Sequence, residues 1–226
     1  MNTAARLYHS GDTGDLHAVV EILRERFPQR PFALAGFSLG GNVVLKYLGE
    51  QGPQAVGGIV AAVGVSVPYD LSAGATYLER FGGRLYAGYL LRKLQRKIVA
   101  KARLMPPRVD VQRAAAARTF RVFDDAATAP LHGFQDAEDY YARSSSAAFV
   151  SSIRVPTLLI HSEDDPFLPA AAIPREGISN NAHLVRAIVP DGGHVGFVGR
   201  SLPWRPFFWA EAEVARYLAA ALFPNA

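Results

Sequence analysis

Hydrophobic residues along the chain follow two kinds of pattern, helical spacing and short continuous runs. Residues 14 to 26 (GDLHAVVEILRER) place apolar side chains three and four positions apart, which predicts an amphipathic helix. Residues 32 to 37 (FALAGF) form a continuous apolar run too short for a free-standing helix, and helical spacing resumes after it in NVVLKYLGE. The chain is therefore predicted to begin with a helix, a strand, a tight turn and a second helix.

Three more continuous apolar runs follow, at residues 55 to 68, 155 to 165 and 183 to 193. Continuous rather than alternating hydrophobicity is typical of parallel strands that are covered on both faces. Because helical patterns separate these runs, we predict an α/β fold with a parallel sheet and helices on both of its faces.

The segment between the second and third runs contains no convincing strand. Residues 82 to 105 have helical spacing and are basic, and shorter helical patterns follow at 111 to 125 and 136 to 146. We therefore predict one domain over residues 1–226 that holds a helical insertion or lid at residues 69–150. A last helix is predicted within residues 207 to 223.

The composition excludes several classes of protein. Half of the 226 residues are apolar, which is enough for a substantial core and argues against disorder. The absence of cysteine removes disulfides, thiolate metal sites and cysteine nucleophiles. Because neither a signal peptide pattern nor a long uncharged apolar run occurs, we expect a cytoplasmic protein without a membrane span.

The net charge of +4 hides an uneven distribution of charge. Residues 80 to 121 hold 12 lysines and arginines and a single acid, Asp110. Solvated helix surfaces are the usual origin of such a segment, so we predict at most a weak contact with an anionic membrane surface. No nucleic acid partner is expected, since no recognised binding motif accompanies the charge.

The junction FALAGFSLGGNVVL carries the first chemical signal. Gly36, Ser38 and Gly40 fit the pattern G-x-S-x-G, in which the glycines permit a sharp turn with the serine at its apex. A strand that enters this motif and a helix that leaves it are the context that the motif requires. Ser38 is therefore the candidate nucleophile, and the amide of Leu39 at the start of the helix is the candidate oxyanion donor.

A serine hydroxyl needs a base that takes its proton and an acid that orients the base. The acid is expected at the carboxyl end of a later strand, and TLLIHSEDDPFLP supplies Glu163, Asp164 and Asp165 at such an end. We choose Asp165, because the proline after it fixes a turn and projects the side chain at the strand tip. Asp164 remains the alternative.

The predicted base is His194, in VPDGGHVGF after the fourth run, where two glycines leave room around it. Two other histidines, His9 and His17, precede the Ser38 turn. His132 lies in the insertion, His183 at the start of a strand and His161 inside an apolar run. We expect His161 to be a core histidine with satisfied hydrogen bonds. The resulting chain order of serine, acid and histidine is that of alpha/beta-hydrolases.

Five segments together resemble the YheT-like branch of the alpha/beta-hydrolases: RLYHSGDT, GFSLGGN, FDDAATAPLHGFQDAEDYY, DDPFLP and GGHVGF. The resemblance covers nearly the whole chain and implies an alpha/beta-hydrolase fold with Ser38 as nucleophile, Asp165 as acid and His194 as base. It also implies hydrolysis of small-molecule carboxylic esters with short to medium acyl chains. The chain has no metal-ligand spacing and no phosphate- or dinucleotide-binding glycine pattern, so no cofactor and no metal are predicted.

The same resemblance implies further strands, and a loop with a second oxyanion amide, in residues that precede the start of this chain. The free edge of the strand at residues 32 to 37 is then expected to be open to solvent or to another chain. Loss of one oxyanion donor costs about 3 to 4 kcal/mol of transition-state stabilisation, so this chain alone is expected to be an impaired and poorly soluble enzyme. The alternative is a truncated or catalytically silent hydrolase-fold protein that acts as an interaction module for anionic lipid or protein.

Overall fold

The computed structural model describes residues 5–80, 83–106, 108–199 and 205–224. The chain divides into two compact units. The helical unit consists of Met1–His9 and Leu71–Ser144, and the sheet unit of Ser10–Asp70 and Ser145–Ala226. The prediction of one domain with an insertion at residues 69–150 remains a prediction.

A four-stranded parallel sheet forms the core of the sheet unit. Its strands, hydrogen-bonded in chain order, are β1 (Phe32–Phe37), β2 (Ile59–Val65), β3 (Thr157–Ser162) and β4 (Leu184–Val189). All three pairings are parallel, so the four carboxyl ends meet at one edge of the sheet. This sheet confirms the prediction from the four apolar runs.

The α-helices of the described residues are, in chain order, α1 (Gly14–Arg26), α2 (Leu39–Gln51), α3 (Leu71–Leu78), α4 (Arg84–Ala100), α5 (Val111–Ala116), α6 (Phe120–Phe123), α7 (Ala129–His132), α8 (Ala137–Ser144), α9 (Arg175–Ser179) and α10 (Trp209–Leu222). Short 3₁₀ helices occupy Gly52–Val56, Ala102–Leu104, Ser146–Ser152 and Ala170–Ala172. Two-residue strands β5 (Val198–Gly199) and β6 (Phe207–Phe208) pair antiparallel. Within the described ranges, no helix combines the length and the apolar composition that a bilayer crossing requires.

Helices cover both faces of the sheet, as predicted. On one face, Val20 of α1 and Leu45 of α2 share a buried cluster with Leu159 of β3. On the other face, Val214 of α10 shares a cluster with Leu158, the preceding residue of β3. Adjacent strand residues point to opposite faces, so the continuous apolar run is explained by burial on both sides.

Strand β1 is more exposed than the strands beside it. In the part of the chain that the structure describes, β1 pairs with β2 alone and lies at the end of the strand order. Its residues Ala35 and Phe37 are exposed, whereas every residue of β3 is buried. Within the described residues, one edge of β1 therefore has no strand beside it, and the expectation that this edge is open to solvent or to another chain remains a prediction.

The helical unit is more finely divided than its hydrophobic pattern predicts. Residues 111 to 125, predicted as one helical stretch, form α5, α6 and the start of a π-helical segment, Asp124–Thr128. Each short helix has its own N-cap: the Asp110 side chain accepts from the Arg113 amide, and the Thr119 hydroxyl accepts from the Val122 amide. Such caps favour a new helix start over continuation of the previous helix.

A buried carboxyl group lies at the start of the π-helical segment. Asp124 accepts hydrogen bonds from the Thr128 hydroxyl and, at 2.7 Å, from the Tyr141 hydroxyl. Burial raises the pKa of Asp124 to about 6, although both hydrogen bonds lower it. The folded chain therefore holds a proton on this carboxyl group more tightly than the unfolded chain does.

We expect Asp124→Asn to remove a pH dependence of stability between about pH 4 and pH 6. In this window folding takes up a proton on Asp124, so the free energy of unfolding falls as the pH rises. A pKa raised from 3.8 to about 6 corresponds to a loss of up to about 3 kcal/mol. Urea unfolding across the window measures this slope. Asp125→Asn is the matched control and should keep most of the slope, since the Asp125 charge adds only a smaller contribution to the raised Asp124 pKa than burial does; an equal slope in both variants would contradict the expectation.

Candidate active site

Ser38 lies between β1 and α2 in a strained backbone conformation. Its φ of 49° and ψ of −121° are rare for a residue with a side chain and cost on the order of 1–3 kcal/mol. The Ser38 amide donates to the Val65 carbonyl of β2 at 2.8 Å, and the Ser38 carbonyl accepts from the Asn42 amide at 3.2 Å. The turn is thus held by one hydrogen bond to β2 and one to α2, and the Ser38 hydroxyl lies at the carboxyl end of β1.

The tightness of this turn depends on two glycines. A Cβ on Gly36 would lie 2.4 Å from the Gly40 carbonyl oxygen, and a Cβ on Gly41 would lie 2.7 Å from Cγ2 of Val67. A Cβ on Gly40 would meet nothing within 4 Å. Close packing therefore explains Gly36 and Gly41, while the second glycine of the G-x-S-x-G pattern lies in open space.

The side chains of Ser38, His194 and Asp165 form one hydrogen-bonded chain. His194 Nε2 is 2.7 Å from Ser38 Oγ, and His194 Nδ1 is 2.8 Å from Asp165 Oδ2. The imidazole is 14% exposed and the Asp165 carboxyl group is fully buried. In the tautomer with hydrogen on Nδ1, His194 donates to Asp165 and can accept the Ser38 proton on Nε2.

Asp165 is oriented by the turn that follows it. Its Oδ1 accepts from the amides of Phe167 and Leu168 at 2.8 and 3.1 Å, which leaves Oδ2 facing His194. Pro166 has no N–H group, so the next two amides are the donors available to the carboxylate. The Phe167 ring packs edge-on against the imidazole, with ring centroids 4.9 Å apart.

Asp164, the other acid that the sequence allows, binds the loop before His194. Its Oδ1 accepts from the Gly192 and Gly193 amides, both at 2.9 Å. Hydrogen bonds from these amides, that of Gly193 above all, hold the Asp164 pKa below its usual range. The Ser162 hydroxyl donates to the Gly193 carbonyl, and Gly193 has a φ of 67° that favours glycine. The end of β3 thus fixes the loop that carries His194.

Leu39 is the first residue of α2. Amides in the first turn of a helix have no acceptor within the helix, and the helix dipole adds partial positive charge there. The Leu39 amide directly follows Ser38, so it can donate to an oxygen on which negative charge develops beside that hydroxyl.

Asn42 was not predicted as a site residue, yet it supports the turn at Ser38. It is fully buried; its side chain donates to the Ser10 carbonyl at 2.9 Å and accepts from the Ser146 amide at 2.8 Å. These bonds attach the first turn of α2 to two distant segments of the sheet unit. The available signal in the sequence is a polar residue at the start of an apolar helix, in GFSLGGN.

The expectation of a satisfied core histidine is wrong for His161. The ring is buried in β3, but neither nitrogen has a hydrogen-bond partner within the described residues. Burial lowers the pKa of His161 to about 4, so the ring is neutral at neutral pH. The Tyr69 ring lies beside it with centroids 5.9 Å apart. The apolar run predicts burial, but a hydrogen-bond partner depends on distant segments that the pattern does not reveal.

The other histidines lie on elements outside the hydrogen-bonded chain of Ser38, His194 and Asp165. In the helical unit, His132 ends α7 and contacts the His9 ring, with centroids 4.4 Å apart. His17 lies in α1 beside Tyr47, and His183 directly precedes β4.

Comparison with known proteins identifies the class to which this fold belongs. The family model for the alpha/beta hydrolase fold matches residues 2–200, and the chain belongs to this family. The similarity of the fold extends to the esterase Pf2001 of Pyrococcus furiosus, with a TM-score of 0.53 at 18% identity over 96% of this chain and 65% of that one. The predicted fold class is therefore confirmed.

Curated relatives give a finer comparison. The chain is 36% identical to YheT of Escherichia coli over 98% of this chain and 64% of that protein. It is 34% identical to a monoacylglycerol lipase of Saccharomyces cerevisiae, over 86% of this chain and 44% of the lipase. It is 32% identical to phospholipase ABHD3 of Homo sapiens, over 85% of this chain and 47% of the phospholipase. The resemblance to the YheT-like branch is confirmed, and the chain spans about half to two thirds of the length of these relatives.

We expect Gly36→Ala to destabilise the chain by about 1–3 kcal/mol or more, because the added methyl group meets backbone atoms that cannot move aside. Gly40→Ala should be neutral or stabilising by up to about 1 kcal/mol, since alanine is the better helix former and the site is open. Urea unfolding of the two variants measures the contrast. Equal destabilisation by both substitutions would show that the close contact at Gly36 does not govern the turn.

We expect Asp164→Ala to slow the reaction of Ser38 with a fluorophosphonate probe by about 10- to 100-fold. Without the Asp164 acceptor the loop before His194 loosens, and a displacement of about 1 Å in a reacting group can cost that much. Asp164→Asn keeps an acceptor oxygen and should react nearly as fast as the parent chain. Glu163→Ala, which removes only an exposed ion pair with Arg175, is the control. A rate unchanged in Asp164→Ala would contradict this role.

Proposed function

We propose that this protein is a serine hydrolase that cleaves carboxylic esters with short to medium acyl chains. The observation that carries the proposal is the hydrogen-bonded chain from Asp165 through His194 to Ser38, which stands on a strained turn. Serine becomes a useful nucleophile when a base lies within hydrogen-bond reach and a third group orients that base. We assign Ser38 as nucleophile, His194 as general base and Asp165 as the orienting acid.

Acylation begins when Ser38 Oγ attacks the ester carbonyl carbon and His194 Nε2 takes the hydroxyl proton. The carbonyl π electrons move to oxygen, where the Leu39 amide donates to the new negative charge. Asp165 stabilises the imidazolium ion that forms. When the tetrahedral intermediate collapses, the bond to the leaving oxygen breaks, and the departing alcohol receives the proton from Nε2. The product of this half-reaction is an acyl group on Ser38.

Deacylation repeats the same steps with water. His194 Nε2 takes a proton from a water molecule as the water oxygen attacks the acyl carbon. The bond between Ser38 Oγ and the acyl carbon then breaks, and Nε2 returns the proton to Oγ. The carboxylic acid leaves, and the three side chains regain their original protonation states.

The residues beside the nucleophile favour an apolar acyl group. Phe37 and Leu39 flank Ser38 in the chain, and they are 42% and 40% exposed. Exposed apolar side chains next to a reactive hydroxyl can bury part of an acyl chain attached to it. The names of two relatives, a monoacylglycerol lipase and a phospholipase, likewise describe hydrolysis of acyl lipids. The apolar side chains support an apolar acyl group, and the names of the relatives support esters over amides, which the same three residues could also cleave.

A fluorophosphonate probe should label the chain, and Ser38→Ala should abolish the labelling. Ser66→Ala is a matched control: Ser66 also follows a strand, has the same φ of 49°, and is buried with a hydroxyl that lacks a partner among the described residues. Removing an unpaired buried hydroxyl should not harm folding. Labelling that survives Ser38→Ala, or that is lost equally in Ser66→Ala, would contradict the assignment of the nucleophile.

Turnover of p-nitrophenyl esters with increasing acyl length then tests the reaction itself. The proposal expects release of p-nitrophenol from the shorter esters, and a loss of about 10⁴-fold or more in Ser38→Ala. Labelling of Ser38 without turnover of any ester or thioester would favour the alternative of a catalytically silent interaction module.

A further inference from the structure

Helix α4 in the helical unit has two sides of different character. Ala87, Leu91 and Ile98 are buried on one side. At 3.6 residues per turn, a stripe with spacings of three and four residues lies on the opposite side. The stripe consists of Leu85, Tyr89, Arg92 and Arg96, and Lys93 adjoins it. We call these five residues the outer face of α4.

Two large side chains of the outer face are exposed. Leu85 is 89% exposed and Tyr89 is 48% exposed. The Tyr89 ring stacks on the Tyr86 ring with centroids 6.4 Å apart. Lys93 Nζ lies 4.4 Å from the centroid of the Tyr89 ring. An exposed leucine and paired tyrosines beside cations form a mixed surface, in which apolar contact area adjoins positive charge.

The positive charge of α4 is not neutralised locally. No acid occurs between Glu79 and Asp110 in the sequence. In the described part of the chain, none of the five cations of α4 forms an ion pair with a carboxylate: Arg84, Arg92, Lys93, Arg96 and Lys97. A negatively charged partner would therefore meet these side chains without displacing an existing counter-charge.

We propose that the outer face of α4 docks on the surface of an anionic phospholipid bilayer. Arg92, Lys93 and Arg96 contact lipid phosphates, while Leu85 and Tyr89 enter the boundary between headgroups and acyl chains. Tyrosine favours this boundary, because its ring is apolar and its hydroxyl is polar. A nucleic acid would supply phosphates but would leave Leu85 in water, so a bilayer fits the whole face better. This contact is independent of hydrolysis at Ser38.

Sedimentation with vesicles tests the docking. Vesicles of phosphatidylcholine with about one third phosphatidylglycerol should bind the chain, and vesicles of phosphatidylcholine alone should bind it at least about tenfold more weakly. Binding should weaken steeply as the salt concentration rises, because exposed charges are screened. Equal binding to both kinds of vesicle would overturn the proposal.

Two variants separate the charged and apolar contributions. The triple variant Arg92→Gln, Lys93→Gln and Arg96→Gln should lose about 100-fold in partition to anionic vesicles, at about fivefold for each cation. Leu85→Ser should weaken binding by about tenfold and leave its salt dependence unchanged, since no charge is lost. All four side chains are exposed, so folding should be unaffected.

The control triple Arg26→Gln, Arg30→Gln and Arg186→Gln changes the net charge equally by removing exposed arginines of the sheet unit. It should bind almost as well as the parent chain, and Ser38→Ala should bind equally. The proposal is overturned if the control triple loses as much binding as the α4 triple, or if Leu85→Ser has no effect. Stronger capture by duplex DNA, or release by inorganic phosphate at constant ionic strength, would assign the face to a different ligand.

Discussion

The hydrogen bond from the Ser38 amide to the carbonyl of Val65, the last residue of β2, extends the pairing of the two strands one residue beyond the end of β1. This bond keeps the chain in the sheet while its direction reverses into α2, and it holds Ser38 in a backbone conformation that the residue would otherwise avoid. The close contact between Gly36 and the first turn of α2 depends on the same geometry. If this turn relaxed, the hydroxyl would move away from His194 and the N-terminus of α2 would move away from the hydroxyl.

The residues that follow β3 position the acid and the histidine of the site. Three consecutive acids there have three different roles: Glu163 pairs with Arg175 at the surface, Asp164 binds the loop before His194, and Asp165 contacts the imidazole. Because the strands are parallel, this end lies at the same edge of the sheet as Ser38. The end of one strand therefore holds both the acid and the loop that carries His194. The loop consequently has less freedom to move independently of Asp165.

The features that the sequence predicted are those that depend on local chemistry. Continuous apolar runs indicated the strands, and the glycine-flanked Ser38 indicated the strand-to-helix turn. The contacts of Asp164 and Asn42 join segments that are distant in sequence, so the local pattern did not predict them. The breaks in the helical unit are different, because the caps Asp110 and Thr119 are local signals that the hydrophobic spacing alone does not contain. For His161 the apolar run predicted burial correctly but the hydrogen bonding wrongly, because burial follows from neighbours in sequence and hydrogen bonding from neighbours in space.

Ser66 shows why a strained turn alone does not make a reactive serine. It follows β2 as Ser38 follows β1, it has the same φ of 49°, and its amide donates to the next strand at Ile160 as that of Ser38 donates to Val65. Ser66 is nevertheless fully buried, and its hydroxyl has no acceptor among the described residues. Ser38 differs in its partial exposure and in the imidazole 2.7 Å from its Oγ. The two serines share φ and an amide hydrogen bond to the next strand, so exposure and the nearby base distinguish the candidate nucleophile from its structural counterpart.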